Sequence, residues 1–328
     1  MRPVKILSLG QMMREVDQAL EARFDVYRDD FLGLEAILAE QGREIAAIVT
    51  RGRAPTTAAL IERLPKLELI ANFGVGYDSV DVHEAARRGV VVTNTPDVLN
   101  DEMADFTVGL LISTIRRFPQ ADRHVRSGAW ARGEGFPLSP SLRGRRIGIA
   151  GMGRIGRVIA KRLAGFDVPI AYYSRRKVVD LPHPHHTNLV SLAREVDTLI
   201  VVLPGGTETR NIVDSRVLEA LGPEGILINV ARGSVVDEAA LIWALAMRTI
   251  LAAGLDVFAH EPAVPDELLA MDNVVLLPHI GSATHHTRRL MGELVVRNVT
   301  SWFDGGGALT PVPETPQPTA RRLTVGAI

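Results

Sequence analysis

Apolar residues recur along this 328-residue chain in two alternating rhythms. Short runs rich in Val, Ile and Ala have the character of strands buried on both faces. Between them, apolar positions return every three or four residues, the spacing of one helix face. Val4–Gly10 reads as a strand and Gln11–Ala22 as a helix, through Met12, Val16, Ala19 and Leu20. Phe24–Tyr27 and Ala46–Thr50 read as strands with a helix over Leu32–Glu40 between them. Thr56 or Thr57 then caps a helix that runs to Leu64. Strand Leu67–Phe73, helix Val82–Arg88 and strand Val90–Asn94 complete this first block.

Thr95-Pro96-Asp97 marks a boundary, and a long helix is predicted from Asp101 to about Arg117. Residues 118–145 read as an irregular arm containing Trp130, Phe136, Pro137 and Pro140. A second alternating block opens at Ile147. Its predicted strands are Ile170–Ser174, Thr198–Leu203, Ile226–Val230, Ala253–Phe258 and Val274–Pro278. Its predicted helices are Leu189–Val196, Ser215–Leu221 and Glu238–Met247. A last helix runs from about Thr284 to Trp302 and ends at Gly305-Gly306-Gly307. Residues 311–328 are rich in proline and read as a mobile tail. Strand–helix alternation of this kind implies an α/β fold with parallel, doubly wound sheets. The two blocks share a rhythm without being a sequence repeat.

Composition narrows the class. Hydrophobic residues make up 46% and charged residues 23%, as in a globular protein, and the formal net charge is −1. Such a balance gives no reason to expect a nucleic-acid or membrane partner. The chain has no cysteine, which excludes disulfides, thiolate metal sites and cysteine nucleophiles. No apolar run approaches the roughly 18 residues of a bilayer span, and the first residues read as a strand rather than a signal peptide. A soluble, cytoplasmic protein is the expectation.

Candidate chemistry starts at Ile147-Gly148-Ile149-Ala150-Gly151-Met152-Gly153-Arg154-Ile155-Gly156. An apolar strand breaks into G-x-G-x-x-G and continues as a helical pattern, the context in which this motif binds a dinucleotide. Gly151 permits the turn out of the strand, Gly153 lets a pyrophosphate approach, and Gly156 brings the helix close to the sheet. Free N–H groups at the helix start favour the phosphates. The next strand ends in Ser174-Arg175-Arg176-Lys177, without the carboxylate that would bind the ribose 2′-OH of NAD. Two guanidinium groups and a hydroxyl suit a 2′-phosphate instead. NADP(H) is therefore the expected cofactor, with NAD(H) the alternative.

Arg232, Glu261 and His279 each follow a predicted strand, at the sheet end where open α/β sheets bind ligands. A cation binds a carboxylate or carbonyl oxygen. A histidine transfers protons near neutral pH, and a carboxylate can fix its tautomer. His260 is a rival base but ends no strand of its own. His183, His185 and His186 suggest a metal at first sight, yet they lack a partner carboxylate at ligand spacing, so a solvated loop and no metal is the expectation.

At these motifs the chain resembles the D-isomer-specific 2-hydroxyacid dehydrogenases, over about residues 40–312. The likeness rests on Gly151–Gly156, Asn229-Val230-Ala231-Arg232-Gly233 with Val236-Asp237-Glu238, Gly254-Leu255-Asp256-Val257-Phe258 with Glu261-Pro262, and Pro278-His279-Ile280-Gly281-Ser282. Within the family it is most similar to the NADPH-dependent glyoxylate/hydroxypyruvate reductases, through Asn94–Leu99, Arg126–Trp130 and Ser174-Arg175-Arg176. The resemblance implies a flavodoxin-like substrate domain of residues 1–98 plus 286–314 and a Rossmann-type cofactor domain of residues 99–285, with a cleft between them. It implies a homodimer, with an arm over about residues 101–145 in which Trp130 reaches the neighbour, and a tail from residue 315. His279 would give the proton to a ketone oxygen, Glu261 would hold His279, and Arg232 would bind the substrate's carboxylate and carbonyl oxygen. The amides of Val75 and Gly76 would grip that carboxylate. Asp256 would contact the nicotinamide carboxamide and Thr107 would approach the cofactor. Arg154, Ile155, Pro204, Thr209, Val230, Ala231 and Gly281 would also line its site.

The implied reaction is reduction of glyoxylate or hydroxypyruvate. Two other readings remain open at this point: an NAD-linked dehydrogenase of a bulkier ketoacid such as phenylpyruvate, and a corepressor-like protein that senses NAD(P)H. Formate dehydrogenases pair their histidine with glutamine, where this chain has Glu261. A regulated phosphoglycerate dehydrogenase would carry a long C-terminal extension.

Overall fold

The computed structural model describes residues 3–52 and 55–316. The chain forms two compact units, one of residues 1–99 with 284–328 and one of residues 100–283. The first unit begins with β1 (Lys5–Leu9), α1 (Arg14–Glu21), β2 (Asp25–Arg28), α2 (Asp29–Leu32), α3 (Leu34–Gln41) and β3 (Ile45–Arg51). It continues through α4 (Ala58–Glu62), β4 (Leu69–Phe73), α5 (Val82–Arg87) and β5 (Val91–Thr93). The strands form one parallel sheet in the order β2-β1-β3-β4-β5. Thr57, rather than Thr56, caps α4, its side chain accepting from the Leu60 amide.

The second unit opens with α6 (Asn100–Arg116), which Arg117 ends in a left-handed conformation. Next comes α7 (Phe118–Arg126), in a stretch expected to be irregular. Its periodicity was hidden because its buried anchor is polar: Gln120 donates to the Asp272 and Val274 carbonyls, each at 2.9 Å. The chain then runs β6 (Ile147–Ala150), α8 (Arg154–Leu163), β7 (Ile170–Tyr173), β8 (His185–His186), α9 (Leu189–Glu195), β9 (Thr198–Val201) and α10 (Ser215–Leu221). It finishes with β10 (Ile226–Asn229), α11 (Glu238–Ala246), β11 (Ala252–Leu255), α12 (Asp266–Ala270) and β12 (Val274–Leu276). The sheet order is β12-β11-β10-β9-β6-β7-β8, all parallel. Strands β6, β9, β10 and β11 are buried along their whole length, which is why they read as unbroken apolar runs. Sequence order reverses between β6 and β9, the switch point at which such sheets bind ligands beyond the carboxyl ends of their strands. Asn188, Asp214 and Asp237 cap α9, α10 and α11.

The chain returns to the first unit as α13 (His285–Phe303), capped by Thr284 and lying against α1 and β4. The residues that follow do not begin a tail. Val312 donates to the Val92 carbonyl at 2.8 Å, and buried Thr315 accepts from the Val92 amide at 3.2 Å. Proline fits such an edge because it lacks only the donor that an edge leaves unused. Residues 317–328 of the expected tail lie outside the described residues.

Candidate active site

The glycine turn is built as its three glycines require. Gly151 has φ 110°, and a Cβ there would lie 2.9 Å from the Val202 carbonyl oxygen. A Cβ on Gly156 would lie 2.0 Å from the Gly151 oxygen, so only glycine lets α8 start this close to β6. Beside exposed Gly153 the space is open, with nothing within 4 Å of the Cβ position. No side chain caps α8, whose first residues are Arg154 and Ile155, and a helix start is where an anion is favoured. Beyond β7, Arg175 and Arg176 are exposed. Ser174 Oγ donates to the Arg176 carbonyl at 2.6 Å, which shapes the turn that carries both guanidinium groups. A dinucleotide with a 2′-phosphate fits these residues: an open glycine, a helix start without a side-chain cap, and two exposed arginines.

The remaining cofactor candidates fall around the same sheet. Val230 and Ala231 are buried at the end of β10. Thr209 donates its hydroxyl to the Pro204 carbonyl at 2.6 Å, bracing that loop. Thr107 is buried in α6 and donates to the Met103 carbonyl one turn back, so its proton is used inside the helix. A Cβ on Gly281 would meet Met103 Sδ at 2.8 Å.

Arg232, Glu261 and His279 follow β10, β11 and β12, three neighbouring strands of one parallel sheet. His279 Nδ1 lies 2.7 Å from Glu261 Oε2. Glu261 Oε1 accepts from the Phe258 amide at 3.2 Å. A carboxylate can only accept, so Nδ1 is the donor in this pair and Nε2 is the ring nitrogen left to other partners. His279 itself has φ 56°, a left-handed backbone. Asp256 holds the turn behind it: its two oxygens accept from the Ile280 amide at 2.8 Å and the Gly281 amide at 2.9 Å. Burial raises the Asp256 pKa above the usual carboxylate range, against the lowering effect of those amides. Both Asp256 oxygens therefore already serve the backbone, whatever further contact they make.

Arg232 Nη1 donates to the Ala231 carbonyl at 2.7 Å. Asn229 clamps this loop, donating to the Arg232 carbonyl at 3.1 Å and accepting from the Ala231 amide at 3.1 Å. Gly233 is the point of closest approach to the Glu261 loop, since a Cβ there would lie 1.9 Å from Phe258 backbone atoms. Glu238 Oε2 accepts from the Ala259 amide at 3.0 Å and steadies the same loop. Asn229 and Glu238 stood in the quoted motifs without a role. The available signal was a polar residue ending an otherwise apolar buried strand.

In the first unit, the loop after β4 has its carbonyls turned inward. Asn72 donates to the Gly74 and Gly76 carbonyls at 3.2 and 3.0 Å, and Asn94 donates to the Val75 carbonyl at 2.9 Å. The Thr95 amide also binds the Gly74 oxygen. Three consecutive carbonyls are thus withdrawn from any anion that approaches the Val75 and Gly76 amides. Tyr77 donates to Glu314 at 3.1 Å, and burial followed by that carboxylate pushes its pKa up to about 12.

The other histidines divide. His260 is exposed and closes a turn through its carbonyl, which accepts from the Ala263 amide. His185 and His186 are not in a solvated loop: they form the edge strand β8. Two residues directly after Pro184 are too few to show a strand's alternation. Among the described residues no group of three or more His, Asp or Glu is placed to hold a metal ion. Among them, too, no helix is long and apolar enough to cross a membrane.

A glycine-turn dinucleotide fold with a carboxylate-held histidine at the strand ends defines a class of nicotinamide-dependent dehydrogenases. Comparison with known proteins is specific about the family. The model of the D-isomer specific 2-hydroxyacid dehydrogenase NAD binding domain matches residues 108–281. The chain belongs to that family. It is 49% identical to an NADPH-dependent glyoxylate/hydroxypyruvate reductase of Sinorhizobium meliloti whose structure was solved with NADP and malonate. That match has a TM-score of 0.92 and covers 97% of this chain and 99% of the other. It is 44% identical over 313 residues to glyoxylate/hydroxypyruvate reductase A of Arabidopsis thaliana, covering 95% of this chain and 100% of that protein. It is 43% identical over 319 residues to the hydroxyphenylpyruvate reductase of Plectranthus scutellarioides, with the same coverage.

Proposed function

We propose that this chain is an NADPH-dependent reductase of small 2-oxoacids, glyoxylate and hydroxypyruvate, yielding the 2-hydroxyacids. The observation that carries it is the Glu261–His279 pair at 2.7 Å, formed beyond β11 and β12, with β11 beside the strand that presents Arg232. Bound NADPH supplies the hydride for the α-keto carbon. His279, held through Nδ1, gives the proton on Nε2 to the ketone oxygen, so that C=O becomes CH–OH. Arg232 binds the ketone oxygen and the carboxylate, orienting the substrate and stabilising charge as it develops. The Val75 and Gly76 amides take the carboxylate, a role supported by the inward turn of their neighbouring carbonyls. The second unit holds the cofactor, through the glycine turn and the Ser174-Arg175-Arg176 turn, and the first recognises the substrate.

The test is oxidation of NADPH and NADH by purified protein with glyoxylate, hydroxypyruvate, pyruvate and phenylpyruvate in turn. Turnover with glyoxylate or hydroxypyruvate and preference for NADPH are expected. Cofactor binding without ketoacid-dependent oxidation would favour the corepressor-like reading. The likeness to a hydroxyphenylpyruvate reductase favours a second reading, an aromatic 2-oxoacid, which a higher kcat/KM with hydroxyphenylpyruvate than with glyoxylate would establish. We also propose a homodimer in the cytoplasm, where NADPH is available. Phe118, Trp130 and Leu138 of the arm, which are 52, 69 and 101% exposed, would be covered by the second copy.

A further inference from the structure

The turn that carries Arg175 and Arg176 is tied at three points. His185 Nε2 lies 2.9 Å from the Ser174 carbonyl oxygen, and since a carbonyl can only accept, the imidazole donates. Ser174 Oγ donates to the Arg176 carbonyl at 2.6 Å. The Tyr172 hydroxyl accepts from the Val178 amide at 3.0 Å. His185 also packs on Tyr172, with ring centroids 5.0 Å apart and planes inclined at 37°. Its backbone is placed by the pairing of β8 with β7, which sets His185 beside Tyr172. This two-residue strand thus delivers one imidazole to the turn.

From this geometry we infer that His185 is a positioning residue for cofactor selectivity: it holds the Ser174–Val178 turn in the shape that reads the 2′-phosphate. The inference rests on the NADPH reading above. Two physical effects follow from the ties. Exposed arginines are costly to order, and a fixed backbone removes part of that cost before a phosphomonoester arrives. A carbonyl that accepts from His185 or Ser174 also directs less negative charge at an incoming phosphate. NADH, which carries a hydroxyl at the same place, gains little from either effect. His185 should therefore act on NADPH and not on NADH.

The experiment measures kcat and KM for NADPH and NADH with glyoxylate, in wild-type protein and in His185→Leu, His185→Gln and the double variant Arg175→Ala with Arg176→Ala. Leucine keeps an apolar contact with Tyr172 and removes the donor; glutamine restores an N–H at a similar reach. The inference expects His185→Leu to raise KM for NADPH ~5–10-fold, the equivalent of one hydrogen bond, with KM for NADH and both kcat values within about twofold. His185→Gln should recover most of that loss. If the arginine variant loses the NADPH preference while His185→Leu keeps it whole, the inference fails and the NADPH reading stands. If KM rises equally for both cofactors, His185 serves only the fold and the inference fails. If wild-type protein prefers NADH, or the arginine variant leaves the ratio unchanged, the NADPH reading falls and takes the inference with it. A thermal melt of each variant separates misfolding from lost selectivity.

Discussion

Glu261→Gln isolates what a carboxylate does for His279. In the native site Glu261 offers one oxygen to each of two donors, the His279 ring at 2.7 Å and the Phe258 amide at 3.2 Å. An amide side chain has a single oxygen, so one donor must face the NH2 group. If the oxygen stays with His279, the Phe258 amide is left unpaired and the loop after β11 loosens. If it turns to Phe258, the NH2 opposes Nδ1–H, and the imidazolium that must give up the Nε2 proton is disfavoured. An unsatisfied buried donor costs about 1–3 kcal/mol, more beside a charged group. Transferred to the transition state, that range is roughly 5- to 150-fold in kcat. The assay is NADPH oxidation by glyoxylate at saturating cofactor, with NADPH affinity measured separately by fluorescence. A fall in kcat of at least ~5-fold with unchanged affinity is expected. Turnover within twofold of wild type would refute the claim that Glu261 works through His279.

Other consequences are more direct. His279→Ala should lower kcat by ~10²–10⁴-fold and leave NADPH binding intact; equal loss of both would count against a proton donor. Gly153→Ala and Gly156→Ala should fail differently. The first has open space at its Cβ position, so its melting temperature should hold while NADPH affinity falls; the second meets the Gly151 oxygen at 2.0 Å and should lose several degrees of Tm. Opposite outcomes would overturn the roles given to these glycines. Asn94→Ala frees the Val75 carbonyl and should raise KM for glyoxylate ~5–10-fold with kcat and KM for NADPH unchanged, which steady-state kinetics would show or deny. Hydrogen bonds from Arg87, then Arg88, hold the Glu84 carboxyl at about 2, below its usual 4.5. That stabilisation is complete above pH ~4.5 and is lost as pH falls toward 2. The Tm gap between wild type and Glu84→Gln should therefore shrink from pH 7 to pH 3, and a constant gap would disprove the linkage.

The two parallel sheets were legible because most of their strands are buried on both faces and announce themselves as apolar runs. So were the strand ends, where Arg232, Glu261 and His279 interrupt that pattern. Elements held by polar anchors stayed hidden. Helix α7 is fixed by Gln120 reaching two carbonyls, and β8 is two residues long directly after a proline. The stretch around Thr315 looked like a tail because its attachment to Val92 uses backbone and one hydroxyl, neither of which leaves a periodic trace. Side-chain clamps on backbone are likewise silent in a sequence. Nothing in the spacing of Asn72 and Asn94 says that both turn toward one loop.

The His279 turn shows what such clamps do. A left-handed backbone costs a non-glycine residue roughly 1–2 kcal/mol, and His279 adopts it at φ 56°. Glycine would relieve that strain but carries no imidazole, so the strain must be offset by neighbours. Asp256 does so with two hydrogen bonds to the amides that follow, each worth about 1.5–3 kcal/mol when the acceptor is charged. Burial raises the Asp256 pKa in spite of both amides, so desolvation of this carboxylate works against the two bonds. A buried carboxylate thus holds a left-handed turn, and a second carboxylate, Glu261, takes up the imidazole that the turn presents. Neither acid needs to touch a substrate for the site to depend on it. In the proposed reaction one ring nitrogen gives the proton, and Glu261 and Asp256 serve to keep that nitrogen in place.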